Sequence, residues 1–392
     1  MGVDSSRFVA PEFGSVVKTP GRTGYLAFRP APLARTLDLD TATVLALSEA
    51  DRALGRLAGA GRLLPNPHLL IRPYVAREAL ASSRIEGTQA SLSDVFDAQA
   101  RKTAEGPVRE VTNYIDALEY GLDRLATLPI SARMLCEVHG ILLVDVRGQE
   151  RRPGELRKSQ NWIGSPDNRP ETAVFVPPPL DDMRAALDDL ERFLHEDHPS
   201  IPPLVRIALV HYQFETIHPF LDGNGRLGRL LIAFLLAEMG LLPDPLLYLS
   251  AYFEQHRSDY YDRLQAVRER GELAEWLRFF LTGVAQLATD AVSRAERLVD
   301  IREDYRGRLA DDRSRAAALV DTIFQNPVLT TSRVAGDLGV TLQGALNLVR
   351  RLESARIVTE VQGIPGRSKR WVALEVLEAL QPGAEPTFMA GS

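Results

Sequence analysis

Residues 218–229 read His-Pro-Phe-Leu-Asp-Gly-Asn-Gly-Arg-Leu-Gly-Arg and combine residue types that bind and attack phosphate groups. The segment lies between two stretches with helical apolar periodicity, at the point where the second stretch begins. Gly223, Asn224 and Gly225 can turn their backbone N–H groups toward one point, where a helix N-terminus adds partial positive charge. This turn is therefore predicted to bind a phosphate anion.

The charged residues around this turn fit the same chemistry. Arg226 and Arg229 are three residues apart, so both lie on one face of the first helical turn and can hold further phosphate oxygens. Asp222 offers a hard carboxylate oxygen to a Mg²⁺ ion that bridges the phosphates. Histidine ordinarily titrates near neutrality, so His218 is suited to accept a proton from an attacking hydroxyl. Each feature alone is common, but together within twelve residues they predict a catalytic site.

The elements that must position this segment are mainly helices. Amphipathic stretches cover about 108–126, 130–143, 180–196, 203–216, 225–240, 252–268 and 273–300. Residues 1–40 contain several prolines and little periodicity, which predicts an extended arm. Between residues 160 and 180, two short apolar runs flank a turn-rich loop, which predicts a β-hairpin on an otherwise helical protein.

The segment 218–229 resembles the signature of the Fic family, His-Pro-Phe-x-(Asp/Glu)-Gly-Asn-(Gly/Lys)-Arg-x-x-Arg, at every fixed position. Most Fic proteins transfer AMP from ATP to a Ser, Thr or Tyr hydroxyl of a target protein. The resemblance therefore implies a protein adenylyltransferase with ATP as substrate and Mg²⁺ as cofactor, with His218 as general base and Asp222 as metal ligand. Glycine at position 225, where the family's phosphotransferase branch carries lysine, argues against kinase activity. The implied nucleotide-binding residues of the motif are Gly223, Asn224, Gly225, Arg226, Leu227, Gly228 and Arg229.

The predicted hairpin is similar to the flap of Fic proteins, which covers the nucleotide and pairs with the backbone of the target. The resemblance implies that a target protein docks on residues 161–176 through main-chain hydrogen bonds. It also implies that Ile163 and Gly164 contact the nucleotide and that Tyr260 and Tyr261 form the aromatic pair near the adenine. Nothing in the flap fixes the base, so nucleotides other than ATP stay open.

The sequence Ser-Ser-Arg-Ile-Glu-Gly over 82–87 ends a helix predicted to begin near Pro73. A carboxylate in the last turn of a helix is disfavoured by ~0.3–1 kcal/mol, so Glu86 calls for a cationic partner unless solvent screens it. The six residues match the Fic inhibitory motif, (Ser/Thr)-x-x-x-Glu-(Gly/Asn), in which Gly87 ends the helix. The resemblance implies that Glu86 pairs with Arg229 in place of the γ-phosphate, and that Ser82 steadies this contact. An alternative is removal of AMP from a modified protein, with Glu86 positioning water.

The C-terminal part predicts three helices, over 313–324, 330–338 and 342–352, followed by strands at 356–361 and 369–373. This order is typical of a winged helix-turn-helix. The third helix and the strands, with their surroundings, contain six basic residues and two acidic ones. Residues 311–380 as a whole, however, contain nine Lys/Arg and eight Asp/Glu. This near-neutral balance favours a dimerisation or target-presenting module over a DNA-binding one. A transcriptional regulator whose core senses nucleotide stays the alternative of another class.

Length and composition complete the expectation. The 392 residues are divided into an N-terminal helical domain with the inhibitory motif (1–105), a catalytic core (106–285), a connecting helix (286–312), a winged helix (313–382) and a disordered tail (383–392). A net charge of −6 gives no general attraction to nucleic acid or anionic membranes, and the longest apolar run has eight residues, too short to span a bilayer. The single cysteine excludes a disulfide framework. We expect a mainly α-helical cytoplasmic protein without membrane contact, and homo-oligomerisation stays open.

Overall fold

The computed structural model describes residues 4–19, 24–63, 68–242, 246–361 and 369–381. The predicted tail over 383–392 and the turn expected between the two C-terminal strands lie outside these residues. Within them, the protein is mainly α-helical, which confirms the predicted fold class.

The described residues form fifteen α-helices and five short β-strands. The helices are α1 (Thr41–Leu63), α2 (His68–Ile85), α3 (Leu92–Arg101), α4 (Gly106–Arg124), α5 (Ala132–Leu142), α6 (Leu180–His195), α7 (Pro203–Ile217), α8 (Asn224–Glu238), α9 (Ser250–Gln255), α10 (Arg257–Arg270), α11 (Leu273–Arg308), α12 (Leu319–Gln325), α13 (Thr331–Leu338), α14 (Leu342–Ser354) and α15 (Leu374–Leu380). The strands are β1 (Gly14–Lys18), β2 (Leu26–Pro30), β3 (Val328–Thr330), β4 (Thr359–Val361) and β5 (Arg370–Val372).

Several predicted elements differ from the observed ones. The arm expected over 1–40 contains an antiparallel pair, β1 and β2, with Val16 opposite Phe28. The helix expected over 252–268 is divided at His256, whose backbone leaves the helical region and separates α9 from α10. The helix expected from Pro73 begins five residues earlier, and Pro73 lies inside α2.

The chain divides into two compact units. One comprises Met1–Leu54, Asp116–Pro243 and Tyr252–Gln286, and the other comprises Gly55–Ile115, Asp244–Ala251 and Leu287–Ser392. The domain boundaries given above stay predictions.

The first unit is built around α7, in which every residue from Leu204 to Ile217 except Arg206 is buried. Neighbouring helices bury it on its sides, since α7 packs against α6 and α8. Helix α4 also reaches α8 closely: a Cβ at Gly121 would lie 2.2 Å from the Phe234 ring, so only glycine fits there. The turn between the two central helices α7 and α8 is therefore held in a rigid frame.

The second unit contains α2 and the C-terminal elements. Strand β5 lies between β3 and β4 in an antiparallel sheet, α12 packs against α2, and α3 packs against β3. Buried polar contacts link these parts, because Asn326 Nδ2 donates to the Phe96 carbonyl (2.8 Å) and Arg370 pairs with Asp97 (2.8 Å). The order of helices and strands follows the predicted one, with β3 and α15 added; the classification as a winged helix stays a prediction.

Candidate active site

The turn that joins α7 to α8 is set by two left-handed residues. His218 has φ 50° and ψ 60°, and its N–H donates to the Phe214 carbonyl (2.9 Å), which ends α7. Gly223 has φ 76° and lies at the N-cap of α8. A helix leaves its first N–H groups without intrahelical partners, so the N-terminus of α8 presents donors and partial positive charge at this turn.

Two asparagine side chains hold the turn in shape. The Phe220 N–H donates to Asn224 Oδ1 (2.9 Å), and Asn224 Nδ2 donates to the Phe220 carbonyl (2.9 Å). Asn161, from the predicted flap, donates from Nδ2 to the carbonyls of His218 (3.1 Å) and Phe220 (2.8 Å). The flap and the motif are thus brought together at the first residue of the motif.

Arg157, which was not among the predicted site residues, connects the same parts. Its side chain is buried, its Nε donates to the His218 carbonyl (3.1 Å), and its other nitrogens donate to the carbonyls of Ser159 and Pro178. The Arg157 N–H also donates to the Pro219 carbonyl (2.9 Å). Burial lowers the pKa of the Arg157 guanidinium to about 10, because desolvation disfavours its charged form. Only the three-dimensional structure shows that this arginine reaches the turn.

The His218 side chain has the geometry of a base. It is 18% exposed, and its Nδ1 lies 3.4 Å from the Glu215 carbonyl oxygen and 3.9 Å from Glu215 Oε2. A carbonyl oxygen only accepts hydrogen bonds, so a neutral His218 carries its proton on Nδ1 and its lone pair on Nε2. With this tautomer, Nε2 is the ring nitrogen that would accept a proton from a hydroxyl, and this role of His218 stays a prediction.

Arg226 is a buried cation whose hydrogen bonds are incomplete. Its side chain is 2% exposed and faces Asp222, with 3.8 Å between Nη2 and Oδ1. Its Nε and Nη1 have no hydrogen-bond partner among the described residues. Buried donors are normally satisfied, so an oxyanion at this point would complete the shell of Arg226. Arg229, one turn further along α8, is also buried.

Asp222 is the carboxylate of the turn. Its side chain is 40% exposed, and its Oδ1 accepts a hydrogen bond from the Gly223 N–H (2.6 Å). Gly148 lies against it, since a Cβ there would be 2.9 Å from Asp222 Oδ2. The described ranges contain no group of three potential metal-ligating side chains. A Mg²⁺ ion would fit here only with further oxygens from phosphate and water, as magnesium commonly binds.

The remaining predicted motif residues, Gly225, Leu227 and Gly228, contribute to the packing and hydrogen bonding of α8. Gly225 is half-buried in the first turn of α8, whereas Leu227 is fully buried and its N–H donates to the Gly223 carbonyl (3.0 Å). At Gly228, an added Cβ would lie 2.4 Å from Glu215 Oε1 and 3.1 Å from the Phe214 ring, so glycine lets α8 pass close to α7 without moving these side chains. Their nucleotide contacts stay predictions.

The predicted hairpin is reduced to one bridge. Ile163 and Phe175 form an antiparallel pair with hydrogen bonds of 2.8 and 3.2 Å, and a loop with a short 3₁₀ helix at Pro170–Thr172 joins them. Gly164 has φ 68°, and a Cβ there would be 2.9 Å from Val174 Cγ2. Gly164 therefore packs tightly against Val174, which lies in the second half of the same loop.

Phe175 anchors the flap to the rest of the unit. Its buried ring lies 4.0 Å from the Arg268 guanidinium carbon, and Arg268 Nε donates to Thr216 Oγ1 (3.0 Å) in α7. The Phe28 N–H donates to the Val176 carbonyl (2.9 Å), so β2 continues the flap on its other side. The arm hairpin and Arg268 were not predicted to support the flap.

The two predicted adenine-contacting tyrosines differ in exposure. Tyr260 is buried, and its hydroxyl contacts His211 Nε2 (2.8 Å), while His211 Nδ1 contacts the Gly228 carbonyl (3.0 Å). Burial lowers the pKa of His211 to about 3, so the ring is neutral, donates from Nδ1 and accepts from Tyr260. Tyr261 is 40% exposed, with its ring 5.1 Å from that of Tyr260. The adenine contact of either tyrosine stays a prediction.

The predicted inhibitory residues lie at the end of α2, in the second unit. The helix ends at Ile85, the Gly87 N–H donates to the Arg84 carbonyl (2.9 Å), and Gly87 has φ 93°, as expected for a helix end. Ser82 is fully buried and Glu86 is half-buried. The pairing of Glu86 with Arg229 stays a prediction.

Two family models match consecutive parts of the chain: the Fic/DOC family N-terminal model over residues 44–123 and the Fic/DOC family model over residues 129–236. The chain carries this Fic/DOC domain pair. The resemblance based on residues 218–229 is thereby confirmed. The Fic match extends from α5 into α8 and includes both the flap and the turn with His218.

Curated relatives carry the same domain name. The chain is 27% identical to Protein adenylyltransferase Fic of Drosophila virilis over 68% of this chain and 52% of that protein. It is 31% identical to the protein of that name from Aedes aegypti over 50% of this chain and 37% of that protein. The chain thus spans about half, or less, of the length of these relatives.

Solved structures share the fold. A Fic family protein from Desulfovibrio desulfuricans G20 matches 87% of this chain and 98% of its own, with a TM-score of 0.57 and 23% identity. A Fic domain-containing signaling protein from Bacteroides thetaiotaomicron matches 64% of this chain and 97% of its own, with a TM-score of 0.51 and 20% identity. Among the described helices, none has both the length and the apolar character needed to cross a membrane.

Proposed function

We propose that this Fic protein is a protein adenylyltransferase that moves AMP from ATP to a Ser, Thr or Tyr hydroxyl of a target protein. The observation that carries the proposal is Arg226, a buried guanidinium beside the left-handed Gly223 and the N-terminus of α8. Two of its nitrogens have no hydrogen-bond partner in the part of the chain that the structure describes. A polyphosphate is the ligand that such a combination of donors and positive charge favours. The name Protein adenylyltransferase Fic, carried by the relatives, supports the same reaction.

In this reaction, His218 Nε2 accepts the proton of the target hydroxyl. The hydroxyl oxygen forms a bond to the α-phosphorus, the bond between the α-phosphorus and its bridging oxygen breaks, and pyrophosphate leaves. The N–H groups at the start of α8, with Arg226 and Arg229, hold the phosphates in place and stabilise the charge that develops. Asp222 is the residue that would hold Mg²⁺, whose charge would neutralise the phosphates of bound ATP.

The flap supports docking of an extended target segment. The bridge between Ile163 and Phe175 is the single pair of this loop, and Val174 beside it is 61% exposed. Short strands with an open side can accept a further strand through main-chain hydrogen bonds. We therefore assign residues 161–176 as the surface that orients the target hydroxyl toward His218.

We further propose that Glu86 restrains the enzyme by pairing with Arg229. The match of residues 82–87 to the inhibitory motif supports this assignment, together with the position of Glu86 just beyond the end of α2, where the helix dipole calls for a cation. Arg229 would then be released for the γ-phosphate when the pair opens.

The C-terminal module is better suited to a protein partner than to DNA. Of the six basic residues counted around the third helix and the strands, Arg370 is buried against Asp97, Lys369 pairs with Glu360 (2.7 Å) and Arg351 pairs with Asp312 (3.2 Å). The other two described ones, Arg350 and Arg356, are exposed. Arg367 lies outside the described residues. Because three of the six cations are paired with carboxylates, this surface attracts nucleic acid less strongly than the basic count alone implies. Homo-oligomerisation and a cytoplasmic location stay predictions.

A labelling experiment tests the reaction itself. ATP labelled at the α-phosphate should transfer its label to protein, whereas ATP labelled at the γ-phosphate should not, because pyrophosphate carries the γ-phosphate away. Transfer of the γ-label would indicate phosphotransfer and contradict the proposal. Release of AMP from a separately supplied adenylylated protein, without any labelling of protein by ATP, would favour the alternative in which water removes AMP from a modified protein.

A further inference from the structure

His139 lies in α5 and touches the turn without belonging to the motif. Its side chain is fully buried, and its two ring nitrogens have different partners. The Gly154 N–H donates to Nδ1 (2.9 Å), and Nε2 lies 2.9 Å from the Asp222 carbonyl oxygen. A backbone N–H only donates and a carbonyl only accepts, so these partners fix one neutral tautomer, in which Nε2–H donates to Asp222.

The ring also supports the turn by packing. It stacks on Phe220, with 4.0 Å between centroids and 17° between planes. Its Nε2 approaches Gly223 so closely that a Cβ there would be 3.3 Å away. His139 therefore contacts residues on both sides of Asp222 as well as Asp222 itself.

The peptide group between Asp222 and Gly223 is held at both of its polar atoms. Its oxygen accepts from His139, and its N–H donates to the Asp222 carboxylate (2.6 Å). Peptide groups next to glycine rotate at little steric cost, so a turn of this kind needs such restraints. If this peptide group rotated, the Asp222 carboxylate would lose its backbone donor and its direction would change.

We propose that His139 is a positioning residue that fixes the peptide between Asp222 and Gly223 and thereby aims the Asp222 carboxylate and the start of α8 at the metal-bound phosphates. This inference rests on the proposed function, because it concerns the same metal and phosphate site. His139 acts through Asp222 and does not itself contact the nucleotide. Groups that orient a metal-binding carboxylate usually change metal affinity 10–100-fold when they are replaced.

A pair of amide variants separates the two ring nitrogens. In His139→Gln the side-chain amide lies near the position of Nε2 and can still donate to the Asp222 carbonyl. In His139→Asn the amide lies near Nδ1, so it can accept from Gly154 but does not reach Asp222. His139→Phe keeps the stacking on Phe220 and loses both hydrogen bonds.

The readout is binding of Mn²⁺, a spectroscopic substitute for Mg²⁺, to the full chain with a non-hydrolysable ATP analogue, followed by electron paramagnetic resonance. We expect His139→Asn and His139→Phe to weaken Mn²⁺ binding about 10–100-fold, and His139→Gln to stay within about threefold of the wild type. Equal Mn²⁺ affinity in all four proteins would overturn the proposal. So would losses in all three variants that follow their thermal unfolding temperatures, because an ordinary core residue behaves in that way.

A second measurement needs no variant. Nitrogen-15 NMR of the wild-type protein should show His139 neutral, with its proton on Nε2; a proton on Nδ1 would overturn the proposal even if a variant fails to fold. Both measurements differ from an activity assay. If no AMP transfer occurs but Mn²⁺ binding follows the expected order, the proposed function fails while the role of His139 in the site stands.

Discussion

Replacing Arg226 with methionine is expected to stabilise the ligand-free protein while weakening its binding of nucleotide. The Arg226 side chain is 2% exposed, and two of its nitrogens have no partner among the described residues. A buried polar group without a partner costs about 1–3 kcal/mol, and methionine removes this cost while filling similar space. The free energy of unfolding of the unit that contains α8 should therefore rise by about 1–3 kcal/mol.

Nucleotide binding should change in the opposite direction. A hydrogen bond to a charged group contributes about 1.5–3 kcal/mol, so the loss of the phosphate contact should weaken ATP binding roughly 10- to 150-fold. Urea unfolding followed by circular dichroism gives the stability, and isothermal titration calorimetry with ATP and Mg²⁺ gives the affinity.

Arg157→Met is the matched control, because Arg157 is equally buried but donates to the carbonyls of His218, Ser159 and Pro178. Its replacement removes the guanidinium hydrogen bonds to these carbonyls, of which that of His218 keeps its bond from Asn161, and should lower the free energy of unfolding. If Arg226→Met destabilised the protein as Arg157→Met does, or bound ATP like the wild type, the assignment of Arg226 to a phosphate would be refuted.

Three further predictions concern the base, the metal ligand and pH. His218→Ala should reduce AMP transfer by about 10²–10⁴-fold, the usual loss on removal of a general base, while calorimetry still detects ATP binding; transfer at the wild-type rate would exclude His218 as the base. Asp222→Asn should lower the rate strongly and recover part of it at high Mg²⁺, and an unchanged Mg²⁺ dependence would place the metal elsewhere. Burial holds the pKa of His211 at about 3, below the ordinary value of 6.5, so between these values the unfolded chain binds a proton that the folded chain does not. The free energy of unfolding should consequently fall as the pH drops from 6.5 toward 3. Between pH 7 and 5, urea unfolding should show that the wild type loses about 2 kcal/mol more of this free energy than His211→Gln does. Equal losses in the two proteins would contradict a neutral His211.

The motif could be predicted from the sequence because its residues are contiguous. A base, a carboxylate, glycines and two arginines within 218–229 constrain one another through a single turn and the start of one helix. The structure places all of them on the turn between α7 and α8, where Gly223 is left-handed. The residue types and spacing within this one segment were therefore sufficient to predict this part of the site.

The supports of the motif could not be predicted because they come from distant parts of the chain. His139 and Arg157 reach the turn from 83 and 61 residues away along the sequence. Nothing in their local sequence distinguishes a histidine in an amphipathic helix, or an arginine in a loop, from ordinary residues. Their roles depend on which backbone groups the fold leaves to be satisfied.

The β-elements were predicted less well than the helices. Strands β1 and β2 have five residues each and lie in a proline-containing arm, so their alternation is too short to stand out. Their pairing becomes favourable because the β2 strand also meets Val176 of the flap. Tertiary contacts, which a local pattern does not contain, decided this part of the fold.

We expect this chain to transfer AMP and Glu86 to restrain the transfer. Both expectations are tested by the intact mass of the wild type, Glu86→Gly and the double variant Glu86→Gly with His218→Ala after incubation with ATP and Mg²⁺. A charge-assisted pair contributes about 1.5–3 kcal/mol, so loss of the pair between Glu86 and Arg229 should raise self-modification roughly 10- to 150-fold. We expect Glu86→Gly to gain AMP, the wild type to gain little, and the double variant to gain none. A Glu86→Gly protein that gains no more AMP than the wild type, or a double variant that gains as much as Glu86→Gly, would contradict these expectations.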